Sequence, residues 1–264
     1  MNKQAGAVVE KVREVSPLIQ CITNYVTIGD CANTLLAFGA SPAMCEAQTE
    51  AYGFATISSA VYLNLGTLTQ EQEMGAYQAV LGANKAGRPV VIDPAGCGAI
   101  PRKIAVMDHI ARIGRISLIK GNMGEIKVLA GVDANVKGVD SSGEEEGIEE
   151  ATAAAAKKYR CAVAATGRVD VISDGERLIH IGNGVEMLTR ITGAGCMLGA
   201  LCAATHAVTQ DSMLAAAAAI AVMGIAGETA YAAAKAPGSF RVALMDAIYS
   251  IDAQTLRERG DIRC

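Results

Sequence analysis

The chain has 264 residues, of which 51% are hydrophobic and 19% charged, and its formal net charge at pH 7 is −4. This length fits one large α/β domain or two small ones with a substantial buried core. The acidic balance and the lack of any run of lysine or arginine argue against nucleic acid and anionic membranes as partners.

The chain contains eight cysteines and three histidines. No two cysteines form a C-x-x-C pair, so we do not expect a zinc site. The opening segment, MNKQAGAVVEKVREV, is amphipathic and charged, unlike a secretion signal. We therefore expect a cytoplasmic protein whose thiols are reduced and are mostly small buried apolar residues.

Short β-like runs alternate with longer helical runs through the first half of the chain. The pattern predicts strands over 17–23, 60–66, 89–96 and 117–122. It predicts helices over 26–39, from Thr69 to Gly87, 102–114 and 123–131. Strand–helix units in series predict a parallel sheet with helices on both faces, within one domain over 1–264.

The second half begins with a polar segment, DSSGEEEGIEE over 140–150. Its acids suit the positive end of the alanine-rich helix that follows, and a solvated helix start is the simplest interpretation. Three strands are predicted over 161–167, 169–175 and 177–182, paired as hairpins at a mixed sheet edge.

From residue 194 onward the chain is mostly helical in pattern. One uncharged stretch, MLAAAAAIAVMGIAG over 213–227, is too short and too weakly hydrophobic to span a bilayer. We interpret it as a buried core helix.

Polar residues follow several predicted strands, and ligands of such sheets bind beyond the carboxyl ends of the strands. These residues are Asn24, Thr27, Asp93, Asn122, Glu125, Thr166 and Gly167.

The motif TGAGC over 192–196 is a glycine-containing turn that leads into the start of a predicted helix. The N–H groups of Gly193, Ala194, Gly195 and Cys196 would suit an anion such as a phosphoryl group. A glycine turn that only shapes the backbone is an equally good interpretation. The spacing is not a dinucleotide fingerprint, and no P-loop motif occurs in the chain.

Two acidic residues lie in the motifs DPAG and GNMGE, and together Asp93 and Glu125 could share a hydrated Mg²⁺. Alone, Asp93 could form a turn before Pro94, and Glu125 could be a surface helix residue. With the glycine turn, the pair indicates magnesium-assisted phosphoryl transfer.

A series of motifs in the same order covers almost the whole chain and resembles the hydroxyethylthiazole kinase family. The motifs are GASPAM (39–44), NLGTLT (64–69), DPAGCGA (93–99), IKGNMGEI (119–126), ATG with DVISDG (165–175), TGAGC (192–196) and PGSF (237–240). The resemblance implies a ribokinase-like three-layer α/β/α fold with a central, mostly parallel sheet. It also implies ATP- and Mg²⁺-dependent phosphorylation of the primary alcohol of 5-(2-hydroxyethyl)-4-methylthiazole, in thiamine salvage, by a homotrimer with active sites at subunit interfaces.

The resemblance also assigns roles to individual residues. It implies substrate contacts by Met44, Gly193 and Asn24, ATP contacts by Lys120, Thr166 and Asn122, Mg²⁺ binding by Glu125 and Asp93, and a catalytic turn of Gly193, Ala194, Gly195 and Cys196. A methionine thioether suits a flat heteroaromatic ring, and a cation suits a triphosphate.

This chain departs from the family pattern at a few positions. Lys120 stands where the family usually has arginine, and it supplies a point charge without the two-pronged geometry of a guanidinium. Ala95 replaces the usual valine, and Asp30 stands where relatives often have a neutral residue. We therefore expect the affinity or pose of ATP to differ from the family pattern, and the resemblance assigns no role to Asp30.

Relatives of the same fold usually carry aspartate at the position of Cys196. A helix N-terminus favours a thiolate, which could accept the alcohol proton. Phosphoryl transfer with a loose transition state nevertheless needs little base. We expect Cys196 to orient the substrate hydroxyl and to be a weak base at most; the alternative is that it only fills space beneath the turn.

Two other functions are compatible with the motifs. One is a sister kinase that acts on hydroxymethylpyrimidine, against which Cys196 and GASPAM argue. The other is a non-catalytic regulator that binds ATP or a thiazole compound, which the combination of Asp93, Asn122 and Glu125 disfavours. A nicotinamide dehydrogenase is disfavoured because the fingerprint is missing.

Overall fold

The computed structural model describes residues 1–131 and 145–264. Its strands are β1 Leu18–Ile22, β2 Ser41–Ala43, β3 Ala60–Asn64, β4 Val90–Asp93, β5 Leu118–Asn122, β6 Ala162–Thr166, β7 Asp170–Ser173, β8 Leu178–Ile181 and β9 Ile262–Arg263. They form one sheet in the order β2-β1-β3-β4-β5-β6-β7-β8-β9. Neighbours from β2 to β6 pair in parallel, and those from β6 to β9 pair antiparallel. The predicted parallel sheet with a mixed edge is confirmed.

Helices cover both faces of the sheet. They are α1 Asn2–Val15, α2 Ile28–Phe38, α3 Gln48–Ile57, α4 Gln70–Lys85, α5 Pro101–Ile113, α6 Met123–Ala130, α7 Ile148–Tyr159, α8 Ala194–His206, α9 Ser212–Ala233, α10 Pro237–Ser250 and α11 Ala253–Arg259. A short 3-10 helix, Glu186–Arg190, precedes α8. One apolar core lies between the sheet and α1, α2 and α8 to α10, and a second lies between the sheet and α3 to α7. The three-layer α/β/α architecture is the expected one.

Several helix ends follow local sequence signals. The Thr69 hydroxyl accepts a hydrogen bond from Gln72 N at the start of α4, and the Gln72 side-chain oxygen accepts one from Thr69 N, which completes a capping box. Gly39 ends α2 in the left-handed conformation, as its position in the sequence predicts. Such ends fix where each strand passes into a helix.

The apolar helix α9 begins at Asp211, whose carboxylate accepts hydrogen bonds from Met213 N and Leu214 N. Within the described parts of the chain, α9 is the one helix long and apolar enough to cross a membrane. However, 83% of its apolar window is buried inside the protein. The prediction of a buried core helix is confirmed. The expectation that this stretch is too short and too weakly hydrophobic to span a bilayer is wrong, because the helix extends beyond 213–227 to 22 residues.

Several elements escaped the sequence pattern, among them β2, α3, β9 and the 3-10 helix. The strands β2 and β9 contain three and two residues, which is too few for alternation of polar and apolar residues to show. Pro42 lies in β2, where an edge position tolerates it. Of the acidic segment, residues 140–144 lie outside the described residues, whereas Glu149 and Glu150 lie in the first turn of α7.

Candidate active site

Polar side chains from β3, β4 and β5, and from the turn after β1, meet the start of α8 at the carboxyl edge of the sheet. The helix α8 packs across β3 and β4, so its first turn lies over the ends of these strands. This is the edge at which the sequence pattern places a ligand site.

The Cys196 thiol lies between two buried carboxamides. The amide nitrogen of Asn24 donates to the Cys196 sulfur over 3.2 Å, and that of Asn64 donates to it over 3.3 Å. Asn24 and Asn64 are 5% and 2% exposed, whereas Cys196 itself is only partly buried. The sulfur is therefore held by two buried donors, within a residue that is itself partly exposed.

Backbone N–H groups determine which way each carboxamide faces. The Asn24 oxygen accepts hydrogen bonds from Val26 N and Thr27 N, both at 3.1 Å. The Asn64 oxygen accepts from Gly66 N at 2.9 Å and from the Asn24 amide at 3.0 Å. Because a backbone N–H can only donate, neither amide can be flipped, and both present N–H groups to the sulfur.

Tyr62 ties this network to the backbone of α8. Its buried hydroxyl accepts from the Asn64 amide over 3.0 Å and donates to the Cys196 carbonyl over 2.9 Å. Burial raises the pKa of the Tyr62 hydroxyl well above its usual value, so it stays protonated and able to donate. Gly199 gives the ring room, since a Cβ there would lie 2.6 Å from it.

The glycine turn before α8 requires glycine at its first position. Gly193 has φ +86°, and a Cβ there would lie 2.6 Å from the Thr27 methyl group. Its carbonyl accepts the first helical hydrogen bond, from Met197 N at 2.8 Å. The N–H groups of Ala194, Gly195 and Cys196 precede that bond, so the helix offers them no acceptor and they suit an anion.

A buried ammonium group lies beneath this turn. The Lys120 nitrogen is 3.4 Å from the Asp93 carboxylate and donates to the Gly195 carbonyl over 3.2 Å. The two side chains are 4% and 3% exposed. Burial would lower the pKa of Lys120, but the carboxylates of Asp93 and Glu125 raise it above its usual value, so the group is charged.

Asp93 and Glu125 both bind backbone N–H groups of the loop that follows β4. Asp93 accepts from Ala95 N at 3.0 Å, and Glu125 accepts from Gly96 N at 2.7 Å. The second Glu125 oxygen accepts from Asn122 N at 2.8 Å, within the capping box of α6. Glu125 is therefore more than a surface helix residue, because it joins α6 to this loop.

The charges of these two carboxylates influence each other. Burial raises the pKa of Asp93, the Lys120 ammonium lowers it, and the Glu125 carboxylate raises it again. Asp93 ends β4, and Glu125 lies in the first turn of α6, directly after the adjacent strand β5. Hard carboxylate oxygens are the donors that Mg²⁺ takes when it keeps most of its waters. The donor set fits this ion.

A second lysine reaches the same loop from α5. The Lys103 ammonium donates to the Ala95 carbonyl, and the residue is 6% exposed. Burial lowers the pKa of Lys103, and the Glu125 carboxylate opposes that change. The loop after β4 therefore binds an ammonium group that sequence analysis missed.

The predicted nucleotide residue Thr166 ends β6 and pairs in register with Asn122 at the end of β5. The Thr166 hydroxyl donates to the Gly121 carbonyl over 3.2 Å. The next residue, Gly167, donates its N–H to Asp170 over 2.9 Å. Burial raises the pKa of Asp170 to about 7.

Met44 and Asp30 lie further along the same edge. Met44 follows the edge strand β2, which pairs with β1, the strand before Asn24, and it packs on the apolar core while partly exposed. Asp30 forms an ion pair with Arg241 and so links α2 to α10. This pair accounts for the unusual acid at position 30.

Sequence analysis did not single out Asn64, Tyr62, Lys103 or Asp170. Asn64 was within reach, because it ends β3 and pairs in register with Asp93. The rule that selected Asn24 and Asp93 after their strands applies to it equally. Tyr62 and Lys103 carried no such signal, since each occupies a position that also suits a structural side chain.

Comparison with known proteins gives consistent matches over nearly the whole chain. The model of the hydroxyethylthiazole kinase family matches residues 9–254. Hydroxyethylthiazole kinase 2 of Clostridium botulinum (strain Loch Maree / Type A3) is 60% identical over 255 residues, which are 97% of each chain.

Solved structures agree with this match. A hydroxyethylthiazole kinase protein from Pyrococcus horikoshii OT3 superposes with a TM-score of 0.90 at 40% identity, over 98% of each chain. A Bacillus subtilis pyridoxal kinase, solved as an ADP complex, superposes with a TM-score of 0.56 at 18% identity, over 80% of this chain and 91% of its own. At that identity the second match shows the ribokinase-like fold alone.

Proposed function

Because this chain belongs to the hydroxyethylthiazole kinase family, it is a kinase with an alcohol as acceptor, and we propose how its residues perform the transfer. The reaction moves the γ-phosphoryl group of ATP to the primary alcohol of 5-(2-hydroxyethyl)-4-methylthiazole, as in thiamine salvage. The observation that carries the residue assignment is the position of the Cys196 thiol. It lies on the first turn of α8, within the same turn as the free N–H groups and above the buried Lys120 ammonium.

The glycine turn binds the phosphoryl group undergoing transfer. The N–H groups of Ala194, Gly195 and Cys196 point from the positive end of α8, and the Lys120 charge adds to their field from below. The Lys120 ammonium is 4% exposed, so it acts on ATP by charge through the turn. Thr166 and Asn122, at the ends of β6 and β5, contact the rest of the nucleotide.

Asp93 and Glu125 are the residues that would hold a magnesium ion. Their carboxylates are the hard oxygen donors that fit a hydrated Mg²⁺, and both are oriented by N–H groups of one loop. Bound there, the ion would neutralise charge on the phosphates of ATP. Lys103 supplies a further positive charge at this loop.

The alcohol oxygen attacks the γ-phosphorus, and the bond from that phosphorus to the bridging oxygen breaks, which releases ADP. The hydroxyl proton leaves to the Cys196 sulfur when that is a thiolate, or to water. Asn24 and Met44 line the substrate side, with the flat ring against the Met44 thioether. Since the transition state is loose, positioning of the hydroxyl contributes more than removal of its proton.

We further propose that the protein is a single-domain kinase that forms a homotrimer with active sites at subunit interfaces. Tyr25 and Val26 directly follow Asn24 and are 56% and 61% exposed, which leaves apolar surface beside the site. Met44 lies at the edge of the sheet, where a neighbouring subunit can complete its surroundings. The eight cysteines are free thiols, which suits a cytoplasmic protein. Light scattering after size exclusion measures the oligomer.

The test of the activity is ADP release from Mg-ATP with and without hydroxyethylthiazole. We expect release that requires both the thiazole alcohol and Mg²⁺, with hydroxymethylpyrimidine as the control alcohol. Release with the pyrimidine alone would assign the protein to the sister kinase. No release with either alcohol, from protein that still binds ATP, would favour a regulator.

A further inference from the structure

Asn64 ends β3, is 2% exposed, and uses both sides of its carboxamide. Its oxygen accepts from Gly66 N and the Asn24 amide, and its nitrogen donates to the Tyr62 hydroxyl and the Cys196 sulfur. Both donor hydrogens of the amide are therefore committed. The orientation of the carboxamide follows from the backbone, because Gly66 N can only donate and must therefore face the Asn64 oxygen.

We propose that Asn64 is a positioning residue for the kinase reaction. Its amide holds the Cys196 sulfur as a hydrogen-bond acceptor, so that the side of the sulfur that faces neither Asn24 nor Asn64 is turned toward the substrate hydroxyl. The inference rests on the proposed function. With Asn24 and Asn64 both donating to it, the sulfur must direct its own proton, or a free lone pair, away from both amides. Cys196 is itself partly exposed, which leaves room for a substrate beside it.

The same network also positions the anion-binding turn. Tyr62 receives one hydrogen bond from Asn64 and gives one to the Cys196 carbonyl, in the first turn of α8. One set of side chains thus fixes the sulfur and the backbone whose N–H groups face the phosphoryl group. Displacement of either by a fraction of an ångström lowers the rate of a positioned reaction.

A purely structural role for Asn64 is the alternative, and the chain offers a matched control. Asn84 in α4 also uses both sides of its carboxamide: it donates to the Arg115 carbonyl and accepts from Arg115 N. Arg115 precedes β5, so this pair lies at the amino edge of the sheet, away from the site. Loss of Asn84 therefore costs stability without touching the sulfur.

The first experiment compares the kinetics of Asn64→Asp, Asn64→Ala and Asn84→Asp. Aspartate at position 64 keeps the shape and can accept from Gly66 N and Asn24, but cannot donate to Cys196. We expect kcat to fall about tenfold or more in both position-64 variants. The KM for ATP should stay within about twofold in the uncharged Asn64→Ala variant. Asn84→Asp should keep its kcat.

The second experiment measures alkylation of individual cysteines by iodoacetamide, resolved by peptide mass spectrometry, at one fixed and mildly alkaline pH. The exposed Cys264 is the internal reference. We expect the ratio of Cys196 to Cys264 alkylation to fall several-fold in Asn64→Asp, because a carboxylate beside the sulfur disfavours the reactive thiolate. The ratio should be unchanged in Asn84→Asp.

Wild-type kcat in both position-64 variants would overturn the proposal, as would an unchanged alkylation ratio in Asn64→Asp. An equal loss of kcat in Asn84→Asp would also overturn it, because the effect would then follow stability alone. The alkylation measurement needs no substrate. If the wild-type protein fails to phosphorylate the thiazole alcohol, the proposed function is wrong, and the ratio still decides whether Asn64 controls the sulfur.

Discussion

The Lys120 ammonium lies 3.4 Å from the Asp93 carboxylate, with both side chains at least 96% buried and 27 positions apart in the sequence. The pair joins β4 to β5 beneath the first turn of α8. An ion pair removed from water is costly to break, because the remaining partner keeps its charge without compensation. The pair beneath the proposed phosphoryl site is therefore also a structural element.

The stability of the pair can be measured with Asp93→Asn, Lys120→Met and the double variant. Asp93→Asn leaves the Lys120 ammonium buried without its nearest carboxylate, so we expect a loss of roughly 3–5 kcal/mol in the free energy of unfolding. Lys120→Met should cost less, since Asp93 can take up a proton. The double variant should be more stable than Asp93→Asn alone. Urea unfolding checks this, and additive losses would show that the two charges do not interact.

Cys196 is best tested by two substitutions of opposite character. Cys196→Ala removes the acceptor between the two amides, and we expect kcat to fall roughly ten- to hundredfold while ATP still binds. Cys196→Asp restores an acceptor to which Asn24 and Asn64 can donate, and its turnover should equal or exceed that of the wild type. Steady-state kinetics and ATP titration measure both.

Two outcomes would contradict this interpretation of Cys196. Loss of ATP binding in Cys196→Ala would mean that the thiol supports the nucleotide site instead of the alcohol. A folded but inactive Cys196→Asp would mean that the sulfur does more than accept a hydrogen bond.

Gly66 allows the network to be disturbed without changing any side chain in it. A Cβ at this position would lie 2.9 Å from the Asn64 oxygen and 3.0 Å from the Asn24 Cβ. Gly66→Ala should therefore displace both carboxamides and lower kcat by about tenfold. Gly53 is the control, because a Cβ there meets nothing within 4 Å and the residue lies in α3. Gly53→Ala should keep kcat and gain about 0.5–1 kcal/mol of stability. Wild-type turnover in Gly66→Ala would show that the amides need not be held so closely.

Much of this arrangement was predictable because strand–helix alternation and the carboxyl-edge rule are local features. Each of Asn24, Asp93 and Thr166 could be located from the strand that precedes it. The contact between Asn64 and Cys196 could not, since 132 positions separate the two residues. Only the packing of α8 across β3 brings them together, and no periodicity of sequence encodes that crossing.

The burial of individual side chains, like long-range contact, cannot be predicted from the sequence pattern. Burial nevertheless determines which charged residues lie in the protein interior and not in solvent. Lys103 and Lys120 look like ordinary lysines before strands and helices are assembled. In the structure the Lys103 ammonium donates to the loop after β4, and the Lys120 ammonium donates to the glycine turn before α8. The predicted roles of Asp93 and Glu125 gain physical support from these neighbours, which no motif contains.

The buried carboxyl group of Asp170 makes the free energy of unfolding depend on pH, and the sign of this dependence can be derived. Burial raises its pKa to about 7, whereas the unfolded carboxyl has the ordinary value of 3.8. Between these two values the folded protein holds a proton that the unfolded chain has released. The free energy of unfolding therefore falls as pH rises through this window and falls no further above it.

Asp170→Asn tests this dependence, since asparagine can still accept from Gly167 N but cannot ionise. We expect the free energy of unfolding of the variant to gain on the order of a few kcal/mol relative to wild type between about pH 4 and about pH 8.

Asp174→Asn is the matched control, for which the expected change has the opposite sign. Burial would raise the pKa of Asp174, but hydrogen bonds from Arg177 N and Glu176 N hold it below its usual value. That variant should therefore lose stability relative to wild type as pH rises through the acid range. Urea unfolding across pH measures both, and parallel curves for Asp170→Asn and wild type would show that Asp170 is already ionised throughout the window.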